Sequence, residues 1–100
     1  MERQPPLVVT DNGAVLTVAG ELDLATAPIL ERGLTDVTRP VRLDLEAVTF
    51  MDSAGIAAVV RLYKRCQGDG CTLRIENCSP QVERVLRIAG LYEILTEGGA

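Results

Sequence analysis

The sequence predicts an α/β fold, in which a mixed β-sheet of four to five strands packs against three to four α-helices. Three observations lead to this prediction. Apolar and polar residues alternate in several short segments, as they do in strands that bury one face. Between these segments apolar residues recur at helical spacing. Gly, Pro, Asp and Asn residues separate the segments. With 100 residues, 47% of them hydrophobic, the chain is expected to form a single domain with one modest core.

The first element along the chain is predicted to be a β-hairpin. Two β-rich runs, Leu7 to Thr10 and Ala14 to Ala19, flank Asp11-Asn12-Gly13, whose residue types are typical of tight turns. A hairpin at this point places two antiparallel strands at the start of the sheet.

A first helix is expected from about Ala27 to Val37. Thr26 can cap its N-terminus, and its first turn tolerates Pro28. Its apolar residues at helical spacing are Ile29, Leu30, Leu34 and Val37.

The segment VRLDLEAVTF (41–50) predicts a further strand, because Val41, Leu43 and Leu45 alternate with charged residues. A second helix follows it. Its predicted apolar stripe is Ile56, Val59, Val60 and Tyr63, whereas its predicted solvent-facing residues are Arg61, Lys64 and Arg65.

The last third of the chain predicts one strand and one complete helix. Cys71, Leu73 and Ile75 alternate with Thr72, Arg74 and Glu76. In the helix after them, Ser79 is expected to be the cap and Pro80 the first residue, and Gly90 to end it. Its predicted stripe is Val82, Val85, Leu86 and Ala89, and the short segment LYEIL (91–95) is compatible with strand or helix. Because strands that are separated by single helices pair in parallel, the sheet is predicted to be mixed.

Composition excludes several classes of function. The net charge is −4, and Lys and Arg form no dense tract, so direct binding of nucleic acid is disfavoured. No apolar run approaches the ~18 residues of a membrane span, and the start MERQPPLVV lacks a hydrophobic signal core. We therefore expect a soluble, cytoplasmic protein without a membrane partner, either a monomer or a weak dimer.

The three cysteines are predicted to be reduced and mostly buried. Cys66, Cys71 and Cys78 are odd in number and lack the spacing of a metal site, and the chain has no histidine to complete one. Neither a metal nor a cofactor is expected.

The segment FMDSAGIAAVV (50–60) carries the most specific chemistry. Asp52 and Ser53 stand at the start of the predicted second helix, where either can act as the cap and Gly55 can relieve crowding. Alternatively, the hydroxyl of Ser53 is there to be modified. Catalysis by Ser53 is disfavoured because the chain contains no histidine, no G-x-S-x-G elbow and no phosphate-binding loop. No catalytic residue is predicted.

Three segments resemble the STAS domain, and within it the bacterial anti-sigma factor antagonists. They are GELDLATAP (20–28), VRLDLEAVTFMDSAGI (41–56) and LRIENCSPQVERVLRIAGL (73–91), which together cover nearly the whole chain in the right order. The most specific mark of the family is D-S-x-G-[LI] after a strand. The resemblance implies one STAS domain over residues 1–100 and a regulatory protein that is not an enzyme.

The resemblance also implies a partner-switching mechanism. The unmodified protein binds an anti-sigma factor that is also a serine kinase, and thereby frees a sigma factor. The kinase uses ATP to phosphorylate Ser53, which releases the antagonist, and a PP2C-type phosphatase restores the hydroxyl. Ser53 is then a substrate without a catalytic role.

The resemblance carries over to individual residues. It makes Ser53 the phosphorylation site, and Asp23, Asp52, Ser53, Gly55 and Ile56 the partner-binding residues. Asp23 is equally compatible with a turn before the first helix, and Gly55 with easier packing. Where family members often have a second Ser or Thr, this chain has Ala54, which leaves one candidate hydroxyl.

Two alternatives stay open at this point. The chain is also compatible with a constitutive STAS adaptor subunit of a transporter or signalling complex, without a phosphorylation switch. A small serine hydrolase is the other alternative, against which the absence of histidine argues.

Overall fold

Four strands form the sheet in the computed structural model, which describes residues 7–34 and 39–96. The strands are β1 (Leu7–Asp11), β2 (Leu16–Leu22), β3 (Val41–Met51) and β4 (Leu73–Cys78), and they lie side by side in this order. β1 pairs with β2 antiparallel, whereas β2 with β3 and β3 with β4 pair in parallel. The predicted mixed sheet with an N-terminal hairpin is thus confirmed.

Four helices occur within the described residues: α1 (Ala27–Arg32), α2 (Ser53–Gly68), α3 (Pro80–Ile88) and α4 (Tyr92–Thr96). α1 connects β2 to β3 and α2 connects β3 to β4, as crossover connections between parallel strands require, and α3 follows β4. The ambiguous segment at the end of the chain is helical, since α4 begins one residue after Leu91.

The core consists mainly of Leu and Val side chains that alternate along the strands. In β3, Val41, Leu43 and Leu45 are buried, whereas Arg42 and Glu46 between and after them are exposed. The single phenylalanine, Phe50, remains 46% exposed. The core therefore excludes the largest side chain of the strands and depends on aliphatic packing.

Two predicted details of the N-terminal half are wrong. Ala14 is not in a strand, because the hairpin loop runs to Val15, where the Asn12 Oδ1 accepts from the backbone N–H groups of Ala14 and Val15 at 2.9 and 2.8 Å. Thr26 occupies the N-cap position of α1, as predicted, but its side chain makes no cap hydrogen bond. The reason is that its hydroxyl donates instead to the Glu21 carbonyl O at 2.7 Å.

The first helix is shorter than predicted within the described residues. α1 ends at Arg32, and Gly33 and Leu34 form a turn after it. Of its predicted stripe, Leu30 and Leu34 are buried and Ile29 is half-buried. Val37 lies outside the described residues.

The predicted apolar stripe of α2 is displaced around the helix. The fully buried residues are Gly55, Ala58, Val59, Leu62 and Cys66, whereas Ile56, Val60 and Tyr63 are only half-buried. Almost every residue of the first two turns is apolar or small, so spacing alone does not define the inner face. The smallest residue, Gly55, faces inward because the helix approaches the sheet closely there. Arg61, Lys64 and Arg65 are exposed, as predicted.

The C-terminal half agrees with the predictions except at two residues. Cys71 is buried but precedes β4, and Ala89 is exposed because it follows the last residue of α3. All three cysteines are free; Cys66 and Cys71 are buried and Cys78 is half-buried. None of the helices in the described ranges has both the length and the apolar character that a membrane span requires.

Ser79 joins α3 to the sheet and provides a test of this packing. Its buried hydroxyl donates to the Val48 carbonyl O and accepts from the Val82 backbone N–H at 3.3 Å. Ser79→Ala removes the cap and leaves a buried carbonyl without this donor. It is expected to lower the free energy of unfolding by about 1–3 kcal/mol in urea titrations.

The matched control is Ser53→Ala, at the start of α2, because Ser53 is exposed. That variant should change the free energy of unfolding by less than about 0.5 kcal/mol. Equal stabilities for the two variants would contradict the structural role of Ser79.

Candidate functional site

Two neighbouring parallel strands end side by side and bring the predicted site together. Leu22 and Met51, the last residues of β2 and β3, are partners in the sheet. Asp23 follows the first and Asp52 the second, so the two acids lie at the same edge of the sheet. The Asp52 backbone N–H donates to the Leu22 carbonyl O at 3.3 Å and ties the two strand ends together.

Of the two residues that were predicted as possible caps, Asp52 and Ser53, Asp52 is the N-cap of α2. Its backbone is extended (φ −109°, ψ −170°), and its Oδ1 accepts from the Gly55 backbone N–H at 3.0 Å. Its carbonyl O accepts the first helical hydrogen bond, from the Ile56 N–H at 2.9 Å. Asp52 therefore satisfies one of the N–H groups that a helix start leaves unpaired.

Ser53 is the first residue of α2, and its side chain is exposed. Within the described part of the chain its hydroxyl makes no hydrogen bond. The hydroxyl thus projects into solvent at the positive end of a 16-residue helix. A group attached to its oxygen would break no hydrogen bond to those residues.

Gly55 is buried where α2 comes closest to β2. A Cβ atom at this position would lie 2.5 Å from the Leu22 carbonyl O and 2.9 Å from the Met51 Cγ. Only glycine permits this approach without movement of the helix or the strand. Gly55 consequently fixes where Ser53 stands relative to the sheet, and its own burial leaves it little surface for a partner.

Asp23 organises the turn between β2 and α1. Its Oδ1 accepts from the backbone N–H groups of Ala25 and Thr26 at 3.0 and 3.1 Å. Its own backbone N–H donates to the Thr26 Oγ1 at 2.9 Å. The turn role that the sequence allowed is therefore present, and the half-buried carboxylate still borders the surface.

Ile56 is half-buried and packs against the hydrophobic core. Of the five residues predicted for partner binding, Ser53 is thus the most exposed. Asp23 and Asp52 are half-buried, and Gly55 is buried.

A groove between α1 and α2 adjoins the site and was not predicted. Its volume is about 310 Å³, and it is lined by Leu24, Ala27, Pro28, Glu31, Ala54, Ala57 and Arg61. Leu24 is 79% exposed, which is unusual for a leucine. Across the groove the Arg61 Nε donates to the Glu31 Oε1 at 2.7 Å. This hydrogen bond lowers the pKa of Glu31 and raises that of Arg61.

One sequence signal could have indicated the groove. Leu24 lies between Asp23 and the start of α1 and is not part of the apolar stripe of that helix. The helical pattern therefore does not place it in the core. The pairing of Glu31 with Arg61 joins residues 30 apart in sequence, and no local pattern predicts it.

Comparison with known proteins identifies the family of this fold and site. The sequence model of the STAS domain matches residues 4–97. The chain belongs to the STAS domain family. This STAS domain is similar to the anti-sigma-B factor antagonist of Bacillus subtilis, with 32% identity over 97 residues and 89% of both chains covered. It is 37% identical over 82 residues to the anti-sigma-B factor antagonist of Staphylococcus aureus, covering 78% of this chain and 76% of the relative.

Solved structures agree with the family assignment. An anti-sigma factor antagonist from Mycobacterium paratuberculosis superposes with a TM-score of 0.68 at 26% identity, covering 89% of this chain and 80% of that one. The unphosphorylated form of the anti-sigma factor antagonist SpoIIAA gives a TM-score of 0.66 at 21% identity, with 87% and 83% covered. The second similarity concerns the fold alone.

Because of the close approach at Gly55, replacing this glycine with alanine should change stability in the opposite direction from the same replacement elsewhere in a helix. Replacing Gly by Ala within a helix usually adds up to ~1 kcal/mol of stability. In this STAS domain, Gly55→Ala should instead lower the free energy of unfolding by about 1–3 kcal/mol, because the new methyl group meets a backbone carbonyl.

Gly68→Ala is the matched control in the same helix, since a Cβ there meets nothing within 4 Å. It should leave the free energy of unfolding unchanged or raise it by up to ~1 kcal/mol. Urea unfolding of both variants measures the difference. A stabilising Gly55→Ala would contradict the proposed contact.

Proposed function

We propose that this STAS domain is an anti-sigma factor antagonist that acts in the cytoplasm. In its unphosphorylated form it binds an anti-sigma factor with serine kinase activity and so frees a sigma factor. Phosphorylation of Ser53 by that partner releases it, and a PP2C-type phosphatase reverses the modification. The names of its relatives support the antagonist role. The observation that carries the switch is the exposed Ser53 hydroxyl at the start of α2.

The surroundings of Ser53 favour a phosphate that leaves the fold intact. A phosphoserine carries about −1.5 to −2 charges, and the N-terminus of a helix stabilises a negative charge by ~0.3–1 kcal/mol. The carboxylate of Asp52 opposes it, with a repulsion of roughly 1–3 kcal/mol near water. Because these terms are similar in size and opposite in sign, and no hydrogen bond to the described residues breaks, the folded chain should accept the modification.

A bound partner would respond differently to the same charge. When a protein surface covers Ser53, the phosphate loses water without gaining a counter-charge from this chain, since the carboxylates of Asp23 and Asp52 flank it. Desolvation of an unpaired charge costs several kcal/mol, which weakens binding by orders of magnitude. The charge therefore acts on the complex and not on the fold.

The proposed contact surface divides into two kinds of residue. Asp23, Asp52 and Ser53 border the surface and are proposed to touch the partner, with the exposed Leu24 and the adjoining groove as apolar contact area. Gly55 and Ile56 are proposed to contribute through position, because the first is buried and the second packs on the core.

The experiment that tests the proposal is phosphorylation by the cognate anti-sigma kinase. The purified chain is incubated with this kinase and ATP, and the product is mapped by mass spectrometry. We expect the mass of one added phosphate, located on Ser53 and absent from Ser53→Ala. Thr49→Ala removes another exposed hydroxyl and should leave the phosphorylation unchanged.

Two results would count against the switch. Phosphate that maps reproducibly to another residue would remove Ser53 from its role. Stable association with the kinase and no phosphorylation would favour the constitutive adaptor, which binds without being modified.

A further inference from the structure

The C-terminus of α2 ends in a Schellman motif that has cysteines at both of its contact positions. The Cys71 backbone N–H donates to the Cys66 carbonyl O at 2.8 Å, and the Gly70 N–H donates to the Gln67 carbonyl O at 3.2 Å. Gly70 has the left-handed conformation that this motif requires, with φ +79°. In such a motif the side chains of the first and last residues usually pack together. Here they are two thiols.

The two thiols contact each other and are in the reduced form. Burial, together with a hydrogen bond to the Cys71 thiol, raises the pKa of Cys66 to about 12. Cys66 is therefore protonated at neutral pH. A disulfide requires the two sulfur atoms to approach further, to ~2.05 Å.

The segment that joins the two cysteines lies at the surface and can adapt. Residues 67–70 are all exposed, and a Cβ at Gly68 or Gly70 would meet nothing within 4 Å. Cys66 and Cys71 themselves are 5% and 7% exposed, and this exposed turn connects them. Cys78 is not part of this pair. It is the last residue of β4, whereas Cys71 precedes the first residue of that strand.

We propose that Cys66 and Cys71 form a reversible intramolecular disulfide on exposure to a hydroperoxide. The bond joins the last turn of α2 to the residue that leads into β4. This redox site is independent of the proposed partner switch, which acts at the other end of α2.

The reaction balances with hydrogen peroxide as the oxidant. In the small fraction of molecules in which one thiol has lost its proton, that sulfur attacks a peroxide oxygen and the O–O bond breaks. The hydroxide that leaves takes up the proton, so that a sulfenic acid and one water form. The second thiol attacks the sulfenic sulfur and displaces the hydroxyl group as a second water, after loss of its proton. Two thiols and one peroxide thus give one disulfide and two waters, and two electrons pass from the sulfurs to the peroxide oxygens.

The test uses folded Cys78→Ala, which retains only the proposed pair. The protein is treated with hydrogen peroxide, unfolded and alkylated with N-ethylmaleimide, and then analysed by mass spectrometry. We expect that neither thiol is alkylated and that mass spectrometry shows a disulfide between residues 66 and 71. Dithiothreitol should fully restore both thiols. The oxidised protein should unfold cooperatively, with a Tm raised by several degrees, because the cross-link restricts the unfolded chain.

Two controls separate the disulfide from general oxidation. Cys71→Ser in the Cys78→Ala background removes one thiol of the pair. The remaining thiol, Cys66, should stay alkylatable, because no intramolecular disulfide can form. The unsubstituted chain, mapped by peptides, should show the same 66–71 link with Cys78 still alkylated.

Three results would overturn the proposal. In the first, both thiols of folded Cys78→Ala stay alkylatable under peroxide conditions that form the 66–71 disulfide in the same protein unfolded in urea. In the second, the link involves Cys78 or a second molecule. In the third, the oxidised protein has lost cooperative unfolding, which would place the reaction in the unfolded chain.

Discussion

The approach of α2 to the end of β2 is the contact on which the geometry of the site depends. With glycine at position 55, the first turn of the helix can lie against the Leu22 carbonyl O, at a distance that excludes a Cβ atom. The Asp52 N–H adds a hydrogen bond to the same carbonyl. This contact and the cap by Asp52 orient the helix start relative to the sheet. They place Ser53 in solvent, because the inward-facing position of the first turn is already occupied by Gly55.

Asp52 and Ser53 divide two roles between them, because the first caps α2 and the second is the proposed site of modification. The side chain of Asp52 caps the helix, and the Ser53 hydroxyl makes no hydrogen bond to the described part of the chain. A phosphate there changes the charge of the surface while the backbone beneath it stays held. The acids on either side increase the negative potential that a partner would meet. In the proposed switch, this arrangement separates the stability of the fold from the affinity for the partner.

The order of the strands and helices is predictable from the sequence, since each element carries its own pattern of apolar residues. The alternation of Val41, Leu43 and Leu45 defines β3, and the Ser79-Pro80 pair defines the start of α3. The inner face of α2 was not predictable in the same way, because nearly all residues of its first two turns are small or apolar. Which of them faces the sheet depends on Gly55 and Leu22, which are distant in sequence. The Thr26 hydroxyl is a similar case, since its acceptor is the Glu21 carbonyl and a capping rule considers only the helix that follows. At the site, the pairing of Leu22 with Met51 brings Asp23 to the same edge of the sheet as Asp52, whereas the groove beside them depends on how α1 and α2 pack.

Negative charge on Ser53 is proposed to weaken binding of the anti-sigma partner without weakening the fold. Calorimetric titration of the anti-sigma partner with the unmodified chain and with Ser53→Asp tests it most directly, with Gln67→Glu as a control that adds the same charge at the exposed far end of α2. We expect Ser53→Asp to bind at least roughly tenfold more weakly, a loss of about 1.4 kcal/mol or more in binding free energy, at an unchanged Tm. Gln67→Glu should bind as tightly as the unmodified chain. Equal affinities of the unmodified chain and Ser53→Asp would contradict it.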